Sequence, residues 1–104
     1  MSDSKTPSPI PRRLKEARLK SGLSQKALGL EAGMDEFSAS SRMNHYEQGL
    51  HSPDYHTLEK IGRRLNVPTA FFYIEDDDMA KLVVKYHGLT KTQKRAVSKF
   101  VEEL

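Results

Sequence analysis

The stretch AGMDEFSASSRMNHYEQG, residues 32–49, decides how this chain is organised. It is polar and rich in serine, with scattered Met, Phe and Tyr residues and with Gly33 and Gly49 near its two ends. Composition alone indicates a loop, because serine, asparagine, aspartate and glycine are the residues that favour turns. The alternative is a helix with a wide polar face. The flanking residues distinguish the two interpretations.

Two helices are predicted on the N-terminal side of the stretch. Pro11 suits the first position of a helix that continues to Gly22, and this glycine provides a left-handed stop. Ser24 is the predicted N-cap of a second helix over residues 25–32, which ends at Gly33.

Two more helical segments are predicted after the stretch. Ser52 and Pro53 open a helix whose apolar residues repeat at helical spacing, namely Leu58, Ile61 and Leu65. Pro68 and Thr69 begin a short helical turn that carries Phe71 and Phe72.

The last part of the chain contains two further helices. Asp77 or Asp78 is the expected cap of the first, which carries Met79, Leu82, Val83 and Tyr86 on one side and stops at Gly88. Thr90 and Gln93 form a capping box before the second. An apolar stripe follows it, made of Ala96, Val97, Phe100, Val101 and Leu104. No run alternates with period two, so we predict an all-α chain of six or seven short helices.

Length and composition restrict the class of protein. A chain of 104 residues has room for one modest core, and its net charge of +3 is concentrated in residues 1–33, which carry seven Lys/Arg and three Asp/Glu. The Ser/Pro-rich residues 1–9 predict a disordered N-terminal arm. The absence of cysteine excludes disulfides, thiol catalysis and Cys-ligated zinc, and we expect a cytoplasmic protein. No apolar run is long enough to predict a membrane span.

Three segments together resemble the Xre/Cro repressor family: GLSQKALGLEAG at 22–33, NHYEQG at 44–49 and SPDYHTLEKIGRRLNVP at 52–68. The resemblance covers about residues 10–74 and implies a five-helix, repressor-like helix-turn-helix domain. Residues 75–104 would form a C-terminal helical extension. The stretch at 32–49 would then contain the recognition helix, and would not be a loop.

The chain departs from the family pattern between Gly33 and Glu47, which are further apart than the family's spacing. Residues 34–37 are therefore an insertion. Either this insertion lengthens the turn and Ser38 caps a helix over residues 38–48, or the helix begins a turn earlier with Asp35 as its cap. We favour the longer turn.

The resemblance also implies roles for individual residues. The base-contacting set would be Ser40, Ser41 and His45 at family base-facing positions, flanked by Arg42 and Asn44. Arginine can donate two hydrogen bonds to guanine, and asparagine can pair with adenine. The phosphate-contacting set would be Ser24, Gln25, Lys26 and Ser38, with Arg12 and Arg13 adding positive charge. Met43 and Tyr46 would point into the core, and Arg18 and Glu47 would form a structural ion pair.

These inferences predict a sequence-specific regulator of transcription that binds double-stranded DNA, most simply a homodimeric repressor of a palindromic operator. Dimerisation is expected through Val97, Phe100, Val101 and Leu104, although this stripe could instead fold back on its own chain. An antitoxin-like module that binds a protein partner, such as a toxin, through the C-terminal helices is the alternative. We expect no enzymatic activity and no cofactor, because the sequence contains no catalytic cluster and no nucleotide-binding loop. We expect no metal site, because the four histidines lack ligand spacing and no cysteine accompanies them.

Overall fold

The computed structural model describes residues 7–104, and within that range it contains six α-helices, one 3-10 helix and no strand. The α-helices are α1 (Ile10–Ser21), α2 (Gln25–Glu31), α3 (Ala39–Gln48), α4 (Tyr55–Leu65), α5 (Asp77–His87) and α6 (Lys91–Glu102). The 3-10 helix, Thr69–Tyr73, lies between α4 and α5. The predicted all-α class is confirmed. Most of the predicted N-terminal arm, residues 1–6, lies outside the described residues.

The hydrophobic core lies among α1–α4 and the 3-10 helix. Its largest completely buried apolar side chains are Leu14, Leu28, Met43, Leu58, Ile61 and Phe72. Each of these helices contributes at least one of them, so the core joins the whole N-terminal part of the chain into one unit. None of the described helices is long and apolar enough to cross a membrane.

Several predicted caps are present. The Ser24 hydroxyl accepts a hydrogen bond from the Ala27 N–H at 3.0 Å, and Gly22 ends α1 in the left-handed conformation with φ of 77°. Thr90 and Gln93 form the complete reciprocal capping box at the start of α6. These signals act within four residues, so they can be recognised from the sequence without knowledge of the fold.

Three predicted helix starts were displaced by one or two residues. Helix α1 begins at Ile10, so Pro11 is its second residue. Helix α4 begins at Tyr55 with Asp54 as the cap, whereas we had predicted a start at Ser52 and Pro53. Helix α5 is capped by Asp76, whose carboxylate accepts from the Met79 N–H at 2.7 Å, and not by either of the two following aspartates.

Arg13 is buried, contrary to the prediction that it adds positive charge for DNA. Its Nε donates to the Ile74 carbonyl at 2.7 Å, and its Nη2 donates to the Glu75 carbonyl and to Asp77, both at 2.9 Å. Arg12 also donates to Asp77 and to the Glu75 carbonyl. The two arginines therefore fasten α1 to the segment that leads into α5.

Helices α5 and α6 are far less buried than the rest. Ala80 is the single buried residue of α5, and α6 has none. Within residues 7–104, α6 makes no extensive contact with another helix. The radius of gyration is 15.5 Å, against about 13 Å for a compact chain of this length. Helix α6 therefore projects from the body of the protein.

Candidate nucleic-acid interface

The helix-turn-helix is formed by α2 and α3, which pack closely because a glycine lies where they touch. A Cβ atom added to Gly29 would lie 2.9 Å from the Cβ and 3.0 Å from the carbonyl oxygen of Ala39. No other residue type fits there without separating the helices. Gly29 therefore fixes the position of the first turn of α3.

The inserted residues lengthen the turn and leave α3 with its expected start. The segment from Glu36 to Ser38 is a turn, and α3 begins at Ala39. Asp35 does not cap α3; its carboxylate accepts from the Phe37 N–H at 3.0 Å and shapes the turn. Ser38 occupies the N-cap position, but its hydroxyl makes no capping bond and instead approaches the Asp35 carbonyl at 3.4 Å.

Helix α3 has one polar exposed face and one buried face. The exposed side chains are Ser40, Ser41, Arg42 and Asn44, and His45 is half-buried. Met43 and Tyr46, which were predicted to point inward, are 0% and 8% exposed. The polar stretch quoted from the sequence is thus an amphipathic helix whose surface is free to contact a partner.

Three of the five predicted base-contacting residues, Arg42, Asn44 and His45, are held by neighbours, and the partner of Asn44 is Gln25. The Arg42 guanidinium donates to the Tyr46 hydroxyl at 3.1 Å, one turn further along α3. The His45 ring packs edge-on against the His51 ring, with 5.2 Å between centroids. These contacts restrict the side chains while leaving most of the guanidinium donors available.

Arg18 and Glu47 form a buried, two-pronged ion pair between α1 and α3. Arg18 donates from Nε and Nη2 to the two carboxylate oxygens of Glu47, and from Nη1 to the Leu23 carbonyl at 3.0 Å. The Glu47 side chain is 1% exposed. The hydrogen bond to Glu47 raises the pKa of Arg18 above its usual value, so the Arg18 guanidinium keeps its charge. It fixes how α3 lies against α1.

Gln25 connects α2 to this pair, a contact that the sequence analysis missed. Its Nε2 donates to Glu47 at 3.1 Å and to the Asn44 side-chain oxygen at 3.2 Å. Among the described residues, the Asn44 amide hydrogens have no partner. Both Gln25 amide donors are thus engaged within the protein, and Asn44 presents donors to whatever approaches α3. The spacing of residues 25, 44 and 47 gave no local signal of this contact.

The remaining predicted phosphate-contacting residues lie at helix starts. Ser24 and Lys26 are exposed at the start of α2, and Ser38 is half-buried before α3.

Phe37, beside Ser38, is 94% exposed, which is unusual for a residue of its size. Asp54 at the start of α4 accepts from the Thr57 N–H at 2.8 Å, which lowers the pKa of its carboxyl.

Comparisons with known proteins agree with this geometry. A sequence model described as helix-turn-helix matches residues 14–72. The crystal structure of transcriptional regulator BswR superposes with a TM-score of 0.85 and 46% identity, over 91% of this chain and 94% of that chain. The curated proteins compared with the chain include no match. The chain therefore belongs to the Xre/Cro-type helix-turn-helix family of transcriptional regulators.

Proposed function

We propose that this protein is a homodimeric transcriptional repressor that binds a palindromic DNA operator with the exposed face of α3. The observation that carries the proposal is the polar face itself, held by the buried Arg18–Glu47 pair in a fixed relation to α1 and α2. An exposed helix with a rigid support is what major-groove recognition requires, because base contacts need side chains held in register.

Base recognition is assigned to the residues at the exposed face of α3. Arg42 keeps free guanidinium donors that suit guanine O6 and N7. Asn44 offers amide donors that suit the N7 acceptor of adenine or guanine. Ser40, Ser41 and His45 would contact neighbouring base edges.

Phosphate contacts are assigned to the helix starts on either side. Ser24, Lys26 and Ser38 lie at the first turns of α2 and α3, where backbone N–H groups favour an anion. Gln25 would reach a phosphate by giving up one of its two internal hydrogen bonds. These contacts position the protein without reading sequence.

Selection from random double-stranded oligonucleotides tests DNA binding, operator sequence and palindromy together. Arg42→Ala should then weaken binding to the selected site by about 1–3 kcal/mol and relax one base position in each half-site. Gln25→Ala should weaken binding to all sequences through the lost phosphate contact, and it should also loosen Asn44, whose side-chain oxygen Gln25 holds. Arg63→Ala is the matched control, because Arg63 is 71% exposed on α4. If Arg42→Ala behaves like the control, α3 does not read bases as assigned.

A protein partner is the second candidate, and the exposed apolar side chains of α5 and α6 favour it. Leu82, Phe100 and Leu104 are 63%, 65% and 88% exposed, respectively. A second copy of the chain would cover them in the homodimer, whereas a different small protein, such as a toxin, would cover them in an antitoxin-like module. The mass of the purified protein in solution distinguishes the two.

A further inference from the structure

An apolar groove with charged residues along its rim lies between α1 and α5, away from α3. It encloses about 760 Å³, and its lining runs along α1 from Arg13 to Ser21 and along α5 from Asp77 to Lys85. Phe71 and the C-terminal end of α4 contribute to its floor. The floor is largely apolar, so covering it with an apolar surface removes apolar area from water and is favourable.

The charges of the groove differ between its two ends. Glu16 and Asp77 lie at the Arg13 end, because both carboxylates approach the Arg13 guanidinium, at 3.5 Å and 2.9 Å. Lys20 and Lys85 lie in the last turns of α1 and α5, at the other end, and Lys81 lies one turn before Lys85. An occupant of matching chemistry is an apolar helix that is basic at one end and acidic at the other.

Helix α6 has this chemistry. Its apolar stripe includes Val97 and Phe100. Its first half is basic, with Lys91, Lys94 and Arg95, and its last part is net acidic, because Glu102 and Glu103 outnumber Lys99. The stripe from Val97 to Leu104 is about 10 Å long, and the α5 side of the groove is about 12 Å long at the helical rise of 1.5 Å per residue. The two lengths are compatible.

The order of charges decides between the chain's own α6 and that of a second copy. Only residues 88–90 join α5 to α6, so the chain's own α6 could enter the groove only antiparallel to α5. It would then place Lys94 beside Lys85, and Glu102 beside Asp77. A helix from a second copy can run parallel to α5, which brings Glu102 and Glu103 to Lys20 and Lys85.

We infer that the groove between α1 and α5 receives α6 of a second copy, in a reciprocal exchange that forms the homodimer. The exposure of the α6 stripe in a single chain supports this arrangement, with Phe100 65% exposed and Val101 56% exposed. The Lys94 ammonium lies 5.4 Å from the centre of the Tyr86 ring. This contact joins the end of α5 to the start of α6, and the rest of α6 points away from the body of the protein. The inference rests on the proposed homodimer and names the surface that forms it.

Charge reversal on the two sides of the contact tests this inference. One variant combines Lys20→Glu with Lys85→Glu in the groove, and the other combines Glu102→Lys with Glu103→Lys on α6. Each alone should weaken dimerisation at low salt by at least about tenfold, because every exchanged helix then meets like charges. An equimolar mixture should recover the parent's dimer affinity as a heterodimer, because each groove then meets an opposite helix end.

Sedimentation equilibrium measures dimer affinity, native mass spectrometry identifies the heterodimer, and circular dichroism shows that each variant is folded. Lys60→Glu with Arg63→Glu, on α4 and outside the groove lining, is the control with the same change of charge and should dimerise like the parent. A groove variant that also dimerises like the parent, or a mixture that forms no heterodimer, would overturn the exchange and leave the homodimer standing. A parent that stays monomeric at every concentration would overturn the homodimer as well.

Discussion

Replacement of Glu47 by alanine should destabilise this protein more than any change to an exposed ion pair. The Glu47 carboxylate accepts hydrogen bonds from Arg18 Nε at 2.5 Å, Arg18 Nη2 at 3.0 Å and Gln25 Nε2 at 3.1 Å. Glu47→Ala removes both acceptor oxygens of these three hydrogen bonds and leaves the Arg18 charge in a place where its side chain is 11% exposed. The alanine also leaves a void between α1 and α3.

The expected loss follows from that burial. Removing one partner of a buried ion pair destabilises by about 3–5 kcal/mol. Arg18 keeps its hydrogen bond to the Leu23 carbonyl and retains some access to water, so the lower end of that range, about 3 kcal/mol, applies. The free energy of unfolding of a small domain is about 5–15 kcal/mol, so this loss is a large fraction of the total stability.

Urea unfolding followed by circular dichroism measures the effect, with Glu31→Ala as the matched control. Glu31 pairs with Arg64, and both side chains are exposed, at 43% and 41%. An exposed pair contributes about 1 kcal/mol or less, so the control should unfold near the parent's midpoint. Equal midpoints for Glu47→Ala and Glu31→Ala would refute the buried, geometry-fixing role of the Arg18–Glu47 pair.

Two other changes test the fold and its pH dependence. Gly29→Ala would place a methyl group 2.9 Å from the Ala39 Cβ. The cost of overpacking, about 1–3 kcal/mol, should outweigh the gain in helix propensity of about 1 kcal/mol, and DNA binding should weaken because α3 moves. A rise in the urea midpoint of unfolding would contradict this. The hydrogen bonds from Arg12, and then those from Arg13, hold the pKa of Asp77 below its usual value. Ionised Asp77 therefore stabilises the fold fully above the unfolded-state pKa of about 3.9. This stabilisation disappears as the pH falls through the lower folded-state pKa. The urea midpoint of the parent should therefore decline more steeply below about pH 4 than the urea midpoint of Asp77→Asn. Parallel pH profiles of the two midpoints would show that the two arginines do not bind the carboxylate in solution.

The sequence predicted the elements well where the determining chemistry is local. Ser24 and the Thr90–Gln93 box bond to groups three residues away, and Gly22 needs only its own backbone angles. The predicted start of a helix was off by one or two residues where several adjacent residues can serve as its cap. In the run of three aspartates at 76–78, the first is the cap and the second bonds to the arginines of α1.

The site was predictable in outline and not in its connections. The polar and apolar faces of α3 followed from spacing and from the family resemblance. The Gln25–Asn44 bond joins residues 19 positions apart, and Arg13 bonds to carbonyls more than 60 positions away. A buried arginine whose partners are backbone carbonyls leaves no trace in the pattern of charged residues, so it was predicted to be a surface charge.

The position of Arg13 has a consequence for how operators differ between related regulators. In a homodimer formed through α5 and α6, the gap between the two copies of α3 depends on the angle at which α5 leaves the N-terminal unit. Arg13 restrains this angle through its bonds to Ile74, Glu75 and Asp77. Half-sites one helical turn apart are separated by about 34 Å along DNA, so a small rotation at this joint would change the number of base pairs between them. Operator spacing could therefore evolve through residues that never touch DNA, while the bases read in each half-site stay the same.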